Sequence, residues 1–158
     1  PVFGIDKDLG TKKCIGKYVN PVTEGTFAME DTPNIGESMV ENPGVYCKSA
    51  NVSVLAANGK TPLITLNQFG AGKAMYLSSF RVSKESTRFL MRALLTLLGK
   101  EDKVRDYICD NLYTECAYYE EIDKLVVINN SGDTQKTVIK PAKGDVTVEL
   151  APFATKVL

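Results

Sequence analysis

The chain has no histidine, so any acid–base or nucleophilic chemistry falls to carboxylates, thiols and arginine. This excludes imidazole-based triads, Cys–His dyads and histidine-containing zinc sites. Glu30 and Asp31, and again Glu120 and Glu121, are adjacent carboxylates of the kind that glycoside hydrolysis uses in pairs. Adjacent side chains on a strand point to opposite faces, so neither pair converges naturally on a substrate. We therefore predict that both pairs lie in solvated turns.

The glycine-rich segment NQFGAGKAMY, residues 67–76, has the composition of a phosphate-binding loop. The Walker pattern requires glycine at position 67 and serine or threonine after Lys73, where this chain has Asn67 and Ala74. The dinucleotide-binding pattern requires glycine at position 75, which is Met75. The segment therefore predicts a hairpin turn and not a phosphate site.

Two further groups of residues could contact a ligand. Residues 78–81 lie between a predicted strand and a predicted helix, and Arg81 could bind an anion with two hydrogen bonds. A role at the start of the helix or in an interdomain salt bridge is the favoured interpretation. Tyr118 and Tyr119 could form part of a sugar-stacking platform, but aromatic residues are common in strands and sheet packing is favoured.

The four cysteines, Cys14, Cys47, Cys109 and Cys116, have no C-x-x-C spacing and no ligands beside them that suggest zinc. We interpret them as thiols of a protein in a reducing compartment, and two disulfides in a secreted protein are the alternative. A small enzyme with Cys109 or Cys116 as nucleophile is disfavoured because no histidine is there to activate the thiol. The residues thus predict no catalytic, metal-binding or cofactor-binding site.

Charge and hydropathy restrict the partners. Nineteen basic and nineteen acidic residues give a formal net charge of zero, without the basic surface that nucleic-acid binding requires. No stretch has the length of a membrane span, and the start PVFGIDKDLG is not a targeting segment. We expect a cytoplasmic location, and we expect the chain to be the end of a longer polypeptide. Two glycosylation sequons, at Asn51 and Asn129, are short enough to arise by chance.

The middle of the chain predicts antiparallel strands followed by one long helix. Residues 1–44 contain few signals of regular structure. From Val52 onward, Asn58-Gly59 predicts a type I′ hairpin turn, and residues 70–72 predict a second reversal, which gives three antiparallel strands. Ser83 is the predicted N-cap of the helix, and Gly99 is predicted to end it. We expect one apolar stripe of the helix to pack on the strands: Phe89, Leu90, Ala93, Leu94, Leu97 and Leu98.

The end of the chain predicts a series of short strands. Residues 101–110 suggest a short polar helix or a linker. Five apolar runs then follow, separated by turn residues at the spacing of a small sandwich or barrel. The runs are ECAYY, LVVIN, KTVIK, VTVEL and ATKVL. The fold class is therefore α+β and mainly β, with antiparallel strands packed on one helix and then a small all-β, sandwich-like domain.

Residues 52–99, VSVLAANGKTPLITLNQFGAGKAMYLSSFRVSKESTRFLMRALLTLLG, resemble the end of the amidotransferase-like central domain of the 1,3-β-galactosyl-N-acetylhexosamine (lacto-N-biose) phosphorylases. The runs VFGIDKDLG, LVVINNSGDTQKTV and VELAPFATKVL are similar to the same family. The resemblance implies that residues 1–110 are the second half of the central domain, the remnant of an α/β fold. It implies that residues 111–158 are a small C-terminal antiparallel β domain.

Enzymes of this family attack a β-galactoside with inorganic phosphate, invert the anomeric centre and release α-galactose 1-phosphate without a cofactor. The resemblance implies that the catalytic residues lie in an N-terminal TIM barrel outside this chain. It therefore implies a non-catalytic C-terminal fragment with a structural and oligomerisation role. Its partners would be the barrel, the first half of the central domain and further copies of the protein. The alternative hypothesis is an accessory or carbohydrate-binding module of a glycoside hydrolase.

Overall fold

The computed structural model describes residues 1–11, 13–103, 107–140 and 144–158. The chain divides into two compact units: the N-terminal unit, Pro1–Gly99, and the C-terminal unit, Lys100–Leu158. The strands and the α-helix are β1 (Ile5–Lys7), β2 (Val45–Cys47), β3 (Ser53–Asn58), β4 (Thr61–Phe69), β5 (Gly72–Leu77), α1 (Lys84–Leu98), β6 (Thr114–Tyr119), β7 (Lys124–Asn129), β8 (Gln135–Ile139), β9 (Val146–Leu150) and β10 (Thr155–Val157). One α-helix among antiparallel strands confirms the predicted α+β, mainly β class.

The principal sheet of the N-terminal unit has the order β3-β4-β5 and is antiparallel throughout, which confirms both predicted hairpins. The predicted type I′ turn at Asn58-Gly59 was wrong. Asn58 is still in β3, where it pairs with Thr61, and of the two predicted turn residues only Gly59 has a positive φ, +54°. The Asn58 side chain donates to the Glu41 carboxylate over 2.9 Å, so it serves an adjoining loop and not the turn.

The first 44 residues are mostly irregular, as their composition predicts. Their regular structure consists of β1, which pairs with β2, and two short 3-10 turns at Phe27–Met29 and Ile35–Ser38. Both turns bury apolar side chains against the sheet and the helix. The core of the unit contains Ala28, Met29, Ile35, Leu55, Leu63, Ile64, Phe89 and Ala93.

Both predicted ends of α1 are confirmed. Ser83 accepts a hydrogen bond from the Ser86 backbone amide over 3.1 Å, and the Ser86 hydroxyl accepts one from the Ser83 amide over 2.8 Å. This reciprocal arrangement satisfies two of the amides that a helix start leaves without partners. Gly99 follows the last turn with φ +61°, a conformation that costs glycine little.

The predicted buried stripe of α1 is only partly right. Phe89 and Ala93 are buried, but Leu94 and Leu98 are 46% and 69% exposed. The other buried residues of α1 are polar and lie on its inner face: Ser86, Arg92 and Thr96. The leucines therefore lie on the flanks and the outer face of a helix that is apolar on more than one side.

All five predicted strands of the C-terminal unit are present. They form two sheets, β10-β7-β6 and β8-β9, around a shared core of Cys109, Leu125, Val127, Ile139, Val148 and Leu150. In the fourth run, the buried side chains of Val148 and Leu150 alternate with the exposed side chains of Thr147 and Glu149. Of the predicted short helix or linker, Glu101–Lys103 forms a 3-10 turn. Positions 104–106 of this segment lie outside the described residues.

Candidate functional site

Four charged residues of the N-terminal unit form an arginine cluster, defined here as Arg88, Arg92, Glu30 and Asp31. One oxygen of Asp31, Oδ2, accepts hydrogen bonds from Arg88 Nε at 2.9 Å and from Arg92 Nε at 2.8 Å, and it forms an ion pair with Arg92 Nη2 at 2.6 Å. Arg88 and Arg92 are four residues apart on α1, so their side chains lie on one helix face and reach the same carboxylate.

Arg92 is the buried centre of the cluster, with a side chain only 6% exposed. Its Nη1 atom donates to the Phe27 carbonyl over 3.0 Å and to Glu30 Oε2 over 3.1 Å. The guanidinium carbon also lies 4.5 Å from the centroid of the Phe27 ring, within cation–π range. The cluster therefore fastens the 3-10 turn and the residues after it to α1.

The prediction that Glu30 and Asp31 lie in a solvated turn is right for Glu30, which is exposed, and wrong for Asp31, although both residues lie in a turn. Both carboxylates hold arginines, and the Asp31 side chain is 15% exposed. The other predicted pair, Glu120 and Glu121, does lie in an exposed 3-10 turn that follows β6, so that prediction is confirmed. Glu30 and Asp31 do converge, but the group between them is the Arg92 guanidinium.

A cavity of about 310 Å³ lies beside the cluster, at the start of α1. The Thr32 hydroxyl, which belongs to the lining, is buried and has no hydrogen-bond partner within the described chain. The Glu85 pKa is lowered because its own backbone amide and the Ser83 hydroxyl donate to the carboxylate. The helix start therefore already holds an anion of its own. The lining residues are Asp31, Thr32, Pro33, Asn34, Ile35, Ser38, Ser83 and Glu85.

The residues between β5 and α1 do not form an anion site. Arg81 is exposed, and in the described part of the chain its guanidinium makes no hydrogen bond or ion pair. Its backbone carbonyl accepts from the Ser86 hydroxyl over 2.5 Å, which ties it to the start of the helix. Ser79 accepts from the Val40 amide over 2.7 Å. The interdomain salt bridge of Arg81 stays a prediction.

The glycine-rich segment 67–76 is a hairpin, as predicted. Phe69 of β4 pairs with Gly72 of β5, and Gly70 takes a positive φ of +58° in the two-residue turn between them. The segment continues from strand into strand, so no helix start faces the turn. A phosphate group would have neither the amide cradle nor the helix dipole that such loops provide.

Several polar side chains of the N-terminal unit interact around Tyr46. Lys17 donates to the Asp8 carboxylate, which lowers the Asp8 pKa to about 2 and raises the Lys17 pKa. The Tyr46 pKa is raised to about 12, first by a hydrogen bond with Cys14 and then by burial and by Asp6. Lys17 lies 5.2 Å from the Tyr46 ring centroid. These interactions join the irregular segment 8–17 to β2.

All four cysteines are free thiols, in agreement with their interpretation from the sequence. Cys47 and Cys109 are 1% and 2% exposed, and burial raises the Cys47 pKa. Cys116 donates its thiol hydrogen to the Tyr107 carbonyl over 3.2 Å. These surroundings do not activate a thiol, which requires an electropositive and accessible position.

Tyr118 packs within the C-terminal unit, and Tyr119 does not lie beside it on the same face. The Tyr118 ring stacks on Tyr107 with centroids 4.2 Å apart, and its hydroxyl donates to Asp123 over 2.6 Å. Tyr119 is 53% exposed. Sheet packing is thus confirmed for Tyr118, and the two rings do not form a joint platform because neighbouring strand residues point to opposite faces.

We predict that Tyr118 makes the C-terminal unit less stable as the pH rises into the alkaline range. The hydrogen bond to Asp123 raises the Tyr118 pKa from 10.0 to about 12. Because the protonated hydroxyl is favoured in the folded state, Tyr118 stabilises the folded unit fully below pH 10.0. This contribution is lost as the pH rises to about 12, since the tyrosine of the unfolded chain loses its proton first. We expect Tyr118→Phe to flatten the fall of the urea midpoint over this window. Tyr119→Phe is the matched control and should leave the wild-type slope. Equal slopes in wild type and Tyr118→Phe would contradict the assignment.

Asn129, which stood out in the sequence only as part of a glycosylation sequon, is a buried side chain with many hydrogen bonds. Asn129 is 1% exposed, so its side chain is not accessible in the folded unit. Its Nδ2 donates to the carbonyls of Asp133, Ala151 and Leu150 over 2.7, 2.9 and 3.4 Å. Its Oδ1 accepts from the amide and hydroxyl of Ser131. One amide side chain thus joins the β7–β8 loop to the end of β9.

Within the described ranges, no group of three or more His, Cys, Asp or Glu side chains is placed to hold a metal ion. None of the helices found there has the length and apolar character needed to cross a membrane. In the arginine cluster and around Asn129, the polar side chains bond to groups of the same unit. These bonds hold loops against the neighbouring helix and strands.

Comparison with known families accounts for nearly the whole chain. The lacto-N-biose phosphorylase central domain matches residues 1–102, and the lacto-N-biose phosphorylase C-terminal domain matches residues 107–158. The chain belongs to the lacto-N-biose phosphorylase family, which confirms the resemblance found in its motifs. The change from one domain to the other falls close to the division between the two compact units.

Individual relatives have related but different activities in their names. A D-galactosyl-β-1→4-L-rhamnose phosphorylase of Lachnoclostridium phytofermentans is 33% identical over 99% of this chain. A 1,3-β-galactosyl-N-acetylhexosamine phosphorylase of the same organism is 30% identical over 90%, and one of Bifidobacterium longum subsp. longum is 26% identical over 90%. The chain spans 21%, 20% and 23% of these relatives, about a fifth of their length.

Proposed function

We propose that this chain is the non-catalytic C-terminal part of an inverting β-galactoside phosphorylase. The full enzyme would phosphorolyse galactosyl-β-1,3-N-acetylhexosamine or a similar β-galactoside to α-galactose 1-phosphate, with inorganic phosphate as the nucleophile. The observation that carries the proposal is the match of 102 and 52 residues to two consecutive domains of one phosphorylase family. The chain itself would support the catalytic part and its assembly with further copies.

The bonding of the described charged residues favours a structural role over a catalytic one. Phosphorolysis needs a carboxylic acid to protonate the leaving sugar and cations to hold phosphate. The more buried carboxylate of the arginine cluster, Asp31, already accepts hydrogen bonds from both arginines. The arginines are likewise engaged by carboxylates and a carbonyl. Catalysis and sugar selection would therefore belong to the part of the relatives that this chain does not span.

Phosphorolysis assays on two polypeptides test this proposal. The polypeptide of the source organism that contains these 158 residues is incubated with inorganic phosphate and either galactosyl-β-1,3-N-acetylglucosamine or galactosyl-β-1,4-rhamnose. We expect α-galactose 1-phosphate from at least one substrate, and none from the 158-residue chain under the same conditions. Product from the short chain would overturn the non-catalytic role. No product from the longer polypeptide with any β-galactoside would overturn the family activity.

A further inference from the structure

The tip of the β3–β4 hairpin contains Asn58-Gly59, the only Asn-Gly pair in the chain. An asparagine side chain can react with the backbone amide of the residue after it, and glycine, which has no Cβ, hinders this approach least. Asn58 and Gly59 are both exposed. Apart from its chain neighbours, no described atom lies within 4 Å of the position where a Gly59 side chain would begin. Solvent can therefore reach the reacting groups.

The Gly59 amide differs from the amides that follow the other exposed asparagines. Within the described chain it makes no hydrogen bond. Three other exposed asparagines precede a residue that has an amide hydrogen: Asn34, Asn51 and Asn130. The amides after them donate to the Thr32 carbonyl, the Ser49 carbonyl and Asn129 Oδ1 over 3.1, 3.4 and 2.9 Å. Each of these three amides would have to break a bond before it could attack a side chain.

One side-chain contact restrains Asn58. Its Nδ2 donates to Glu41 Oε2 over 2.9 Å, and this nitrogen is the group that has to leave in the reaction. Asn58 also lies at the end of β3, where it pairs with Thr61. Reaction therefore requires that the bond to Glu41 breaks and that the last pair of the ladder opens. Openings of this kind at the end of an element need only a small part of the unfolding free energy.

We propose that Asn58 is a modification site, at which the side chain converts to aspartate and isoaspartate at a rate that Glu41 limits. The Gly59 amide nitrogen loses its proton to solvent and bonds to the side-chain carbonyl carbon of Asn58. The bond between that carbon and Nδ2 breaks, and Nδ2 takes a proton from water and leaves as ammonia. Water then opens the cyclic imide at either carbonyl, which gives aspartate or isoaspartate. Water is the only co-reactant, and nothing is oxidised or reduced.

The modification changes the contact between the hairpin tip and Glu41. A carboxylate at position 58 has no hydrogen to donate, so two negative groups face each other where one hydrogen bond now joins the two segments. An isoaspartate also lengthens the main chain, which disturbs the pairing of residue 58 with Thr61. The product is a hairpin tip that is released from Glu41 and more negatively charged. This change does not depend on the proposed function, because it needs only water and these residues.

Peptide mass spectrometry of the longer polypeptide, aged in its folded state at neutral pH, tests the site. Trypsin releases residues 49–60 as one peptide that contains both Asn51 and Asn58. We expect conversion at Asn58 and none at Asn51 or Asn130, and a methyltransferase specific for isoaspartate labels the product. Ageing in urea is the control, where Asn130 should react as well because its neighbouring amide is released. Conversion of Asn58 in urea alone, or in neither condition, would overturn the site.

Three variants of the same polypeptide test the role of Glu41, with circular dichroism as the check that each is folded. Glu41→Ala removes the acceptor, so we expect Asn58 to convert about threefold to tenfold faster, the equivalent of one hydrogen bond. Glu41→Gln keeps an oxygen that can accept and should stay close to the wild-type rate. Glu24→Ala, at an exposed glutamate of the same unit, is the matched control. A wild-type rate in Glu41→Ala, or equal rates in Glu41→Ala and Glu41→Gln, would overturn the role of this bond.

Discussion

Asp31→Ala will destabilise the N-terminal unit by about 3 kcal/mol, because it leaves two arginine side chains in partly buried positions without their shared carboxylate. Arg92 is the more costly of the two, since its side chain is only 6% exposed and cannot turn into solvent easily. The estimate stays at the lower end for a buried ion pair because Asp31 itself keeps 15% of its side-chain surface exposed. Urea unfolding followed by circular dichroism measures the change; the chain has no tryptophan to follow.

Two controls separate this electrostatic effect from a loss of packing. Glu30→Ala removes a carboxylate that is bonded to Arg92 and is more exposed than Asp31, at 39%, so we expect about 1 kcal/mol or less. Replacing Asp31, Arg88 and Arg92 together by Leu, Met and Met removes the buried charges and should recover most of the stability. A cost for Asp31→Ala no larger than that for Glu30→Ala would contradict the central place of Asp31.

Asn129→Asp will destabilise the C-terminal unit by about 3 to 5 kcal/mol, since it places a carboxylate oxygen where an amide now donates to carbonyls. The substitution changes hardly any volume, so the loss is one of hydrogen bonding and charge. Three carbonyl acceptors, on Asp133, Leu150 and Ala151, would face the new oxygen at a position 1% exposed. Acidic pH should restore part of the stability, because the protonated carboxyl can donate one hydrogen bond.

Asn130→Asp is the matched control, because the neighbouring side chain is exposed and only the Asn130 backbone amide is bonded, to the Tyr113 carbonyl. We expect its unfolding free energy to stay within about 0.5 kcal/mol of wild type. Thermal and urea unfolding of the two variants, each measured at neutral and acidic pH, provide the comparison. Similar stabilities of Asn129→Asp and Asn130→Asp would show that the Asn129 network does not hold this unit together.

Elements with strong local signals could be predicted from the sequence. The cap residues Ser83 and Gly99 mark the ends of α1 because their chemistry acts on the adjacent turn alone. The hairpins follow from glycines between apolar runs. The turn type at Asn58 could not be predicted, because a side-chain bond to Glu41, seventeen residues away, competes with the local preference of the Asn-Gly pair.

The orientation of α1 illustrates a second limit of sequence reasoning. Hydrophobicity favoured a leucine stripe as the buried face, whereas the structure buries Arg92 and leaves Leu98 69% exposed. An arginine becomes a favourable inner residue only when a carboxylate is placed to receive it. Here that carboxylate, Asp31, lies 57 and 61 residues before the two arginines, and the fold must form before the pairing exists.

The structural role of the Asn129 side chain could not be predicted either, because two of its acceptors are distant in the sequence. Its acceptors Leu150 and Ala151 are 21 and 22 residues away, so only strand pairing brings them together. By contrast, family membership followed from the order of several weak motifs, because such an order reflects the whole fold.

The most direct test of the account is the intact mass of the native polypeptide in its source, combined with peptide sequencing upstream of Pro1. The account predicts a polypeptide about five times as long as these 158 residues, since the chain spans 20% to 23% of its relatives. Upstream peptides would belong to a barrel of alternating strands and helices. A native mass close to 17.3 kDa would contradict the account, because no part of the proposed catalytic machinery would then exist.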